Sequence, residues 1–241
     1  MAELLYQGKT KEMWTTDDPE VLRAVYKDDA TALDGLKHDV FQNKGELDAE
    51  ISSLVFEYLM KHGVKTHFIK RLSKNEQLVK KVKMIDLEVV TRNIAAGSFC
   101  KRYGLKEEGK KLDTPVEELF MKSDALHDPL MNESDAIAFH LLTHEEHEQI
   151  WEISRQVNQL LIKLFADAGM LLVDFKVEFG TLPNGEVVLA DEFSPDNCRL
   201  WDMETKDHMD KDVYRRDLGD LTSVYEEVLR RLKNELSKEE A

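Results

Sequence analysis

The sequence predicts an α+β protein of antiparallel hairpins and long helices, in two units that meet near residue 83. Three observations carry this. Strand-like runs crowd the first third of the chain. Two later segments repeat apolar residues at helical spacing. Pro183-Asn184-Gly185 then sits between two apolar runs as a hairpin turn. At 241 residues and 42% hydrophobic composition the chain can bury a real core.

Leu4 to Trp14 reads as extended chain interrupted at Gly8, and Val21–Tyr26 follows a Thr-Asp-Asp-Pro turn as a second strand. From Glu46 to His62, Leu47, Ile51, Leu54, Val55 and Tyr58 share one helical face, and Gly63 ends the helix. Strands are expected over 66–71 and 77–82, closing a smaller unit at 1–83. The second unit, 84–241, opens with a strand over 85–92. A loop region from about 104 to 134 carries Pro115 and Pro129. Thr143 and Glu146 form a capping-box pattern ahead of a long helix through Ile150, Ile153, Val157, Leu160, Leu164 and Phe165, stopped by Gly169. A hairpin over 170–193, a polar turn region and a final helix over about 218–236 complete the chain.

The charge balance is 33 basic against 48 acidic residues, a formal net charge of −15. That works against a nucleic-acid partner, which needs a basic footprint. If the ligands are phosphates, their cations must be few and locally gathered. No apolar run reaches the ~20 residues of a membrane span, so no membrane partner is expected. The opening residues lack the basic-then-apolar order of a signal peptide, and two cysteines, Cys100 and Cys198, are too few for a disulfide framework. The expectation is a reduced, cytoplasmic protein.

Several familiar motifs are absent. There is no Gly-x-x-x-x-Gly-Lys-Ser/Thr loop, no Gly-x-Gly-x-x-Gly and no Gly-x-Ser-x-Gly elbow. His144 and His147 are three residues apart, not the four of a helical zinc-protease pair, and read as a solvated helix start.

In Val173–Gly180, Asp174, Lys176 and Glu178 share one face of a strand, with Phe175, Val177 and Phe179 on the other. With Asn184 and Gly185 as the central turn residues, Glu178 falls opposite Asp191. Two carboxylates facing each other at ~5 Å repel, and a divalent cation between them would turn that repulsion into a Mg²⁺ site. Lys176 lies one diagonal away. Near the N-terminus, Gly8-Lys9-Thr10-Lys11 suits an anion clamp or an ordinary lysine-bearing hairpin. Ser98 reads as an N-cap beside Arg92, either a phosphate seat or a capped short helix. Asp196 and Arg199, in a turn-rich segment, are ligand contacts or a surface ion pair.

Taken in order, GKTK at 8–11, LEVVTRNIAAGS at 87–98, KSDALHDP at 122–129, VDFKVEFG at 173–180 and ADEFSPDNCRLWD at 190–202 resemble the SAICAR synthetase family across nearly the whole chain. Asp86 departs from the family, which usually has proline before the Leu-Glu, and Thr10 stands where alanine is common. The resemblance implies a two-lobed α+β fold distantly like protein kinases, with an ATP cleft between lobes and a homodimeric assembly. It implies ATP-dependent joining of L-aspartate to the carboxylated ribonucleotide CAIR, through an acyl phosphate, giving SAICAR, ADP and phosphate.

By the same resemblance Gly8, Lys9 and Lys11 cover the ATP phosphates, and the connector from Lys81 to Met84 borders the adenine. Glu178 and Asp191 hold Mg²⁺, with Lys11 and Lys176 completing the catalytic group. Arg92, Ser98 and Arg199 meet the ribonucleotide phosphate. Glu88, Lys122, Asp128, Lys176 and Asp196 line the imidazole and its carboxylate. Two rival readings remain. A small-molecule kinase on a related fold would use the ATP residues without the Arg92, Ser98 and Arg199 set. A silent nucleotide-binding module would have lost Lys11, Glu178 or Asp191.

Overall fold

The computed structural model describes residues 2–32, 35 and 37–239. β1 (Leu4–Gln7), β2 (Lys11–Thr15) and β3 (Val21–Tyr26) form a meander, as the alternating pattern around Gly8 predicts. A short hairpin, β4 (Asp29–Ala32) with β5 (Lys37–Val40), leads to α1 (Lys44–Lys61). β6 (Phe68–Arg71) and β7 (Glu76–Lys80) then complete an antiparallel sheet of order β1-β2-β3-β7-β6. His62 caps α1 just before Gly63, which takes the left-handed conformation (φ 85°) that ends a helix readily.

The second sheet collects every strand from residue 83 onward. β8 (Lys83–Met84) and β9 (Leu87–Ile94) precede α2 (Gly97–Tyr103), and β10 (Lys111–Met121) and β11 (Leu130–Met131) follow it. After α3 (Glu133–Ala138) and α4 (His144–Asp167) come β12 (Met170–Thr181), β13 (Val187–Ala190) and β14 (Cys198–Asp202), then α5 (Asp212–Arg215) and α6 (Leu221–Glu239). The main path runs β11-β10-β9-β12-β13, with β14 and β8 also paired to β12.

β12 is the axis of this sheet. Its first half pairs with β14 and β9, and from Glu178 it pairs with β13 instead. One face delivers Phe175, Val177 and Phe179 to a core shared with Phe56 and Leu59 of α1, Leu161 and Phe165 of α4 and Tyr225 of α6. The other face carries Asp174, Lys176 and Glu178, as the period-two reading predicts. The chain entering β8 crosses close over Gly180, where an added Cβ would run into the Val82 side chain.

Three sequence expectations need correction. The 104–134 region is not a loop, because β10 runs through it for 11 residues. Pro115 falls where the β10–β9 register shifts between Lys111 and Val116, a bulge that needs no ladder donor. The polar turn region after 193 also contains a strand, β14. Finally, Asn184 and Gly185 are not a two-residue turn. Leu182 N–H donates to Glu186 O at 2.9 Å, so the loop holds three residues and Gly185 (φ 86°) occupies its left-handed position. The ladder shifts by one residue, and Glu178 faces Ala190, not Asp191.

The capping box of α4 is present. Thr143 Oγ1 accepts from Glu146 N–H at 3.1 Å, and Glu146 Oε2 accepts from Thr143 N–H at 2.8 Å. Thr143→Ala removes one half of it and is expected to cost about 1 kcal/mol. A denaturant titration checks this. Unchanged stability would mean that α4 is held by its buried face alone.

Candidate active site

A cavity of about 970 Å³ is lined from both sheets, by the β1–β2 turn on one side and by β9, β12 and the segment after β13 on the other. Among the described residues, nine basic side chains against eight acidic ones line it, in a chain of net charge −15. The cations are therefore gathered locally, as phosphate ligands require.

Its centre is a lattice of lysines and carboxylates. Lys176 Nζ lies 2.6 Å from Glu178 Oε1 and 3.5 Å from Asp191 Oδ2. Lys122 contacts the other Glu178 oxygen at 2.5 Å, and Lys11 contacts the other Asp191 oxygen at 2.5 Å. Lys11 also reaches Glu192 at 3.1 Å, and Lys176 reaches Glu88 at 3.5 Å. The two predicted carboxylates converge, but by a different route. Asp191 lies just past β13 at φ 60°, a left-handed conformation that a non-glycine residue adopts rarely and that turns its carboxylate toward Lys176. Burial alone would raise the Asp191 carboxyl, but Lys11 and Lys176 hold it well below the usual range. Burial disfavours the Lys176 ammonium, and Glu178, Asp191 and Glu88 overcome that to raise it. Burial lifts Glu88 above the ordinary glutamate range, with Lys176 opposing.

The donor set suits Mg²⁺, which binds through one or two carboxylates and completes its shell with water and phosphate oxygens. Glu178 and Asp191 supply hard oxygens around one point, and the Lys176 ammonium already stands between them as a positive charge.

A second cluster gathers the predicted phosphate contacts. Arg92 donates to Asp174 at 2.9 Å, to Glu118 at 2.7 Å and to Ser98 Oγ at 3.3 Å. Arg199 meets Asp174 and Asp212, each at 3.0 Å. Its guanidinium lies against Gly97, where a Cβ would fall 2.5 Å from Nη2. Ser98 is not the N-cap of α2. Ala96 holds that position, and Gly97, at φ 54°, lets the chain pass under Arg199. The Ser98 hydroxyl is thereby turned to Arg92.

Other predicted residues fall as follows. Gly8 N–H closes the β1–β2 turn on Lys11 O at 2.8 Å. Lys9 reaches across the cavity mouth to Asp124 at 2.7 Å. Met84 lines the cavity, but Lys81 does not. On an extended connector Lys80, Val82 and Met84 share one side, and Lys81 projects to solvent. Asp128 lines the cavity while accepting from Ser123 N–H at 2.7 Å. Asp196 lines it too, but its oxygens are taken by Lys44 (2.9 Å), Lys211 (2.8 Å) and the Tyr225 hydroxyl (2.6 Å). It anchors Lys211 at the cavity wall, and Oδ1, which accepts from Tyr225, keeps the remaining acceptor capacity. Cys198 lines the cavity with its thiol donating to Ser194 O, and Cys100 packs with Ala95 and Phe99; both are buried.

Glu192, Lys44 and Lys211 were not anticipated. Glu192 is adjacent to Asp191, and two successive acids after an apolar strand were the available signal. Lys44 and Lys211 carried none, being isolated lysines brought to Asp196 by the fold.

A fold of two antiparallel sheets around a cavity lined by lysines, carboxylates and paired arginines defines a protein that handles anionic, phosphorylated ligands. The SAICAR synthetase family model matches residues 4–232. The phosphoribosylaminoimidazole-succinocarboxamide synthase of Limosilactobacillus fermentum is 55% identical over 238 residues, covering 98% of this chain and 99% of that protein. The synthase of Listeria innocua is 50% identical over 96% of this chain and 97% of its own length. Among solved structures, the synthase of Ehrlichia chaffeensis superposes with a TM-score of 0.94 at 42% identity, covering 96% of this chain and 98% of that one. A SAICAR synthetase in complex with ADP superposes with a TM-score of 0.93 at 47% identity, covering 97% and 98%. The chain belongs to the SAICAR synthetase family.

The lattice reverses one consequence of the simple hairpin reading. If the carboxylates faced each other bare, neutralising one would stabilise the protein. With lysines interleaved, Asp191→Asn strips a counter-charge from two partly buried ammoniums and is expected to cost about 1–3 kcal/mol. The depressed Asp191 carboxyl contributes stability that is complete above its unfolded pKa, near 4, and is lost as pH falls through the folded value. Thermal melts from pH 6 downward check both points. The variant should melt lower at pH 6 and show a shallower acid limb; equal melts at pH 6 would contradict the lattice.

Proposed function

We infer that this chain catalyses the reaction of its family, the ATP-dependent joining of L-aspartate to the carboxylate of CAIR, which yields SAICAR, ADP and phosphate on the route to purine nucleotides. The observation that carries the reading is the conjunction of two clusters in one cavity. The lysine–carboxylate lattice suits a nucleotide triphosphate, and the Arg92, Ser98 and Arg199 cluster suits a second, separate phosphate. A kinase would need only the first. The ADP in the 47% identical relative supports a nucleotide in the corresponding cavity.

A carboxylate resists attack by an amine because its oxygen is a poor leaving group. In the first step a CAIR carboxylate oxygen attacks the γ-phosphorus of ATP, and ADP departs. In the second the aspartate amine attacks the acyl carbon, phosphate departs with the C–O bonding pair, and the nitrogen gives up a proton as the amide forms. Lys11 and Lys176 neutralise phosphate charge as it moves between oxygens. Gly8 and Lys9 cover the nucleotide from the β1–β2 turn, and Val82 and Met84 border the base. Glu178 and Asp191 would hold Mg²⁺, whose chemistry here is to neutralise the transferring phosphoryl group. Arg92, Ser98 and Arg199 hold the ribonucleotide phosphate, fixing the distance from there to the lattice. Glu88, Lys122 and Asp128 flank the imidazole carboxylate, while Asp196 acts through Lys211. The segments 1–83 and 84–241 would form two lobes around the cavity, and a cytoplasmic homodimer is the setting the family suggests.

Two measurements test this. ADP release with CAIR and Mg·ATP should depend on L-aspartate, and aspartate-independent release would favour a kinase. Arg199→Ala should raise the KM for CAIR about tenfold or more, since a charge-assisted phosphate contact contributes about 1.5–3 kcal/mol, and should leave the KM for ATP nearly unchanged. Equal CAIR values in variant and parent would remove Arg199 from the phosphate subsite.

A further inference from the structure

The arginines of the phosphate subsite belong to a chain of alternating charges that begins and ends on α2. Arg102, on the last turn of α2, bonds Glu118 of β10. Glu118 accepts from Arg92 of β9 at 2.7 Å, and Arg92 donates to Asp174 of β12 at 2.9 Å. Asp174 is shared with Arg199 of β14 at 3.0 Å, and Arg199 donates to Asp212 of α5 at 3.0 Å. Asp212 lies 3.3 Å from Arg216. Arg216 meets both oxygens of Glu108 at 2.8 Å, and Glu108 accepts from the backbone N–H of Gly97, the first residue of α2, at 2.7 Å.

Burial along this chain is uneven. Glu118, Arg92, Asp174 and Asp212 are almost completely buried, whereas Glu108 and Arg216 remain about a third exposed. Burial would raise the Asp212 carboxyl, but Arg199 and Arg215 hold it down at about 2, so it is a full negative charge for Arg199 to lean on. Arg215 also bonds Asp212, at 2.7 Å, which sets five guanidiniums against four carboxylates. The excess of one positive charge suits an anion. The inner two guanidiniums are fixed on both sides, and only the Glu108–Arg216 pair closes the chain back onto Gly97.

We propose that Glu108 and Arg216 are positioning residues for the phosphate subsite: by pinning Gly97 beneath the Arg199 guanidinium and by keeping Arg216 at 3.3 Å from the Asp212 oxygen that Arg199 uses, they hold Arg199 in the orientation that receives the ribonucleotide phosphate. Neither needs to touch the substrate. Without Glu108, Arg216 loses the carboxylate that holds it back and closes on the Asp212 oxygen that Arg199 uses, in competition with Arg199. Without Arg216, Glu108 is left uncompensated beside Arg199 and draws it away from Asp212. Both losses misplace the same guanidinium.

The inference rests on the reading of Arg92, Ser98 and Arg199 as the ribonucleotide phosphate subsite, and its test separates the two. Glu108→Gln removes a negative charge near the subsite, and Arg216→Gln removes a positive one. If these residues act only through net charge, the KM for CAIR falls in the first variant and rises in the second. Positioning requires it to rise in both, by about tenfold, with the KM for ATP held within about twofold. The double variant should be no worse than the poorer single one, because the two residues act as one unit. Opposite shifts, or no shift in either single variant, overturn the proposal. Thermal melts accompany the kinetics, and a rise in KM for both substrates with a lowered melt identifies a general structural defect and also overturns it. Arg199→Ala run in parallel reports on the underlying reading. If it raises the KM for CAIR while the Gln variants do not, the subsite stands and the positioning role fails. If Arg199→Ala leaves that KM unchanged, the subsite reading fails and the positioning role falls with it.

Discussion

Lys176 is the point at which the cavity is held together. Its ammonium lies against Glu178 and Asp191, and both carboxylates spend their remaining oxygens on Lys122 and Lys11. Taking this many charges out of water is costly unless each is paired on all sides. The fold meets that condition from far-separated segments. Lys11 arrives from the β1–β2 meander, Lys122 from the end of β10, Lys176 and Glu178 from β12, and Asp191 from the residue after β13. The partner change of β12 at Glu178 makes room for this meeting, because there the ladder leaves β9 for β13 and the strand's polar face opens onto the cavity.

The same economy governs the arginine cluster proposed to receive the ribonucleotide phosphate. A phosphate must find cations, yet bare guanidiniums packed together would repel one another. Asp174 between Arg92 and Arg199 removes that repulsion while leaving N–H groups along the guanidinium edges. An acidic protein can in this way gather cations at one site. Most of its negative charge lies on the solvated exterior, and the cations inside are tethered by a nearly equal number of carboxylates.

Much of this was legible in the sequence, and the failures have physical causes. Helices α1 and α4 were readable because their apolar spacing and end signals agree, with Gly63 after one and the Thr143–Glu146 box before the other. The polar face of β12 was readable because period-two alternation is unbroken from Asp174 to Phe179. β10 was missed because Pro115 and a high charge content look like a loop, and only the neighbouring strand shows that the proline sits at a bulge. The hairpin register failed by one residue, since Asn-Gly supports both two- and three-residue turns. That slip mattered. It set Glu178 and Asp191 face to face, whereas the positive φ of Asp191 brings them together around an ammonium. Residues without local signal, Lys44 and Lys211 above all, acquire their role only through contacts such as Lys44 with Asp196, 152 positions apart.

If the lattice is a cation seat that lysines occupy until nucleotide arrives, then the affinity for nucleotide must depend on Mg²⁺ through these two carboxylates. Calorimetric titration of ADP into the parent and into Glu178→Gln, each with and without Mg²⁺, measures this directly. Mg²⁺ should tighten ADP binding in the parent by about tenfold or more, and that gain should largely vanish in Glu178→Gln. The same Mg²⁺-dependent gain in both proteins would contradict the assignment of the seat.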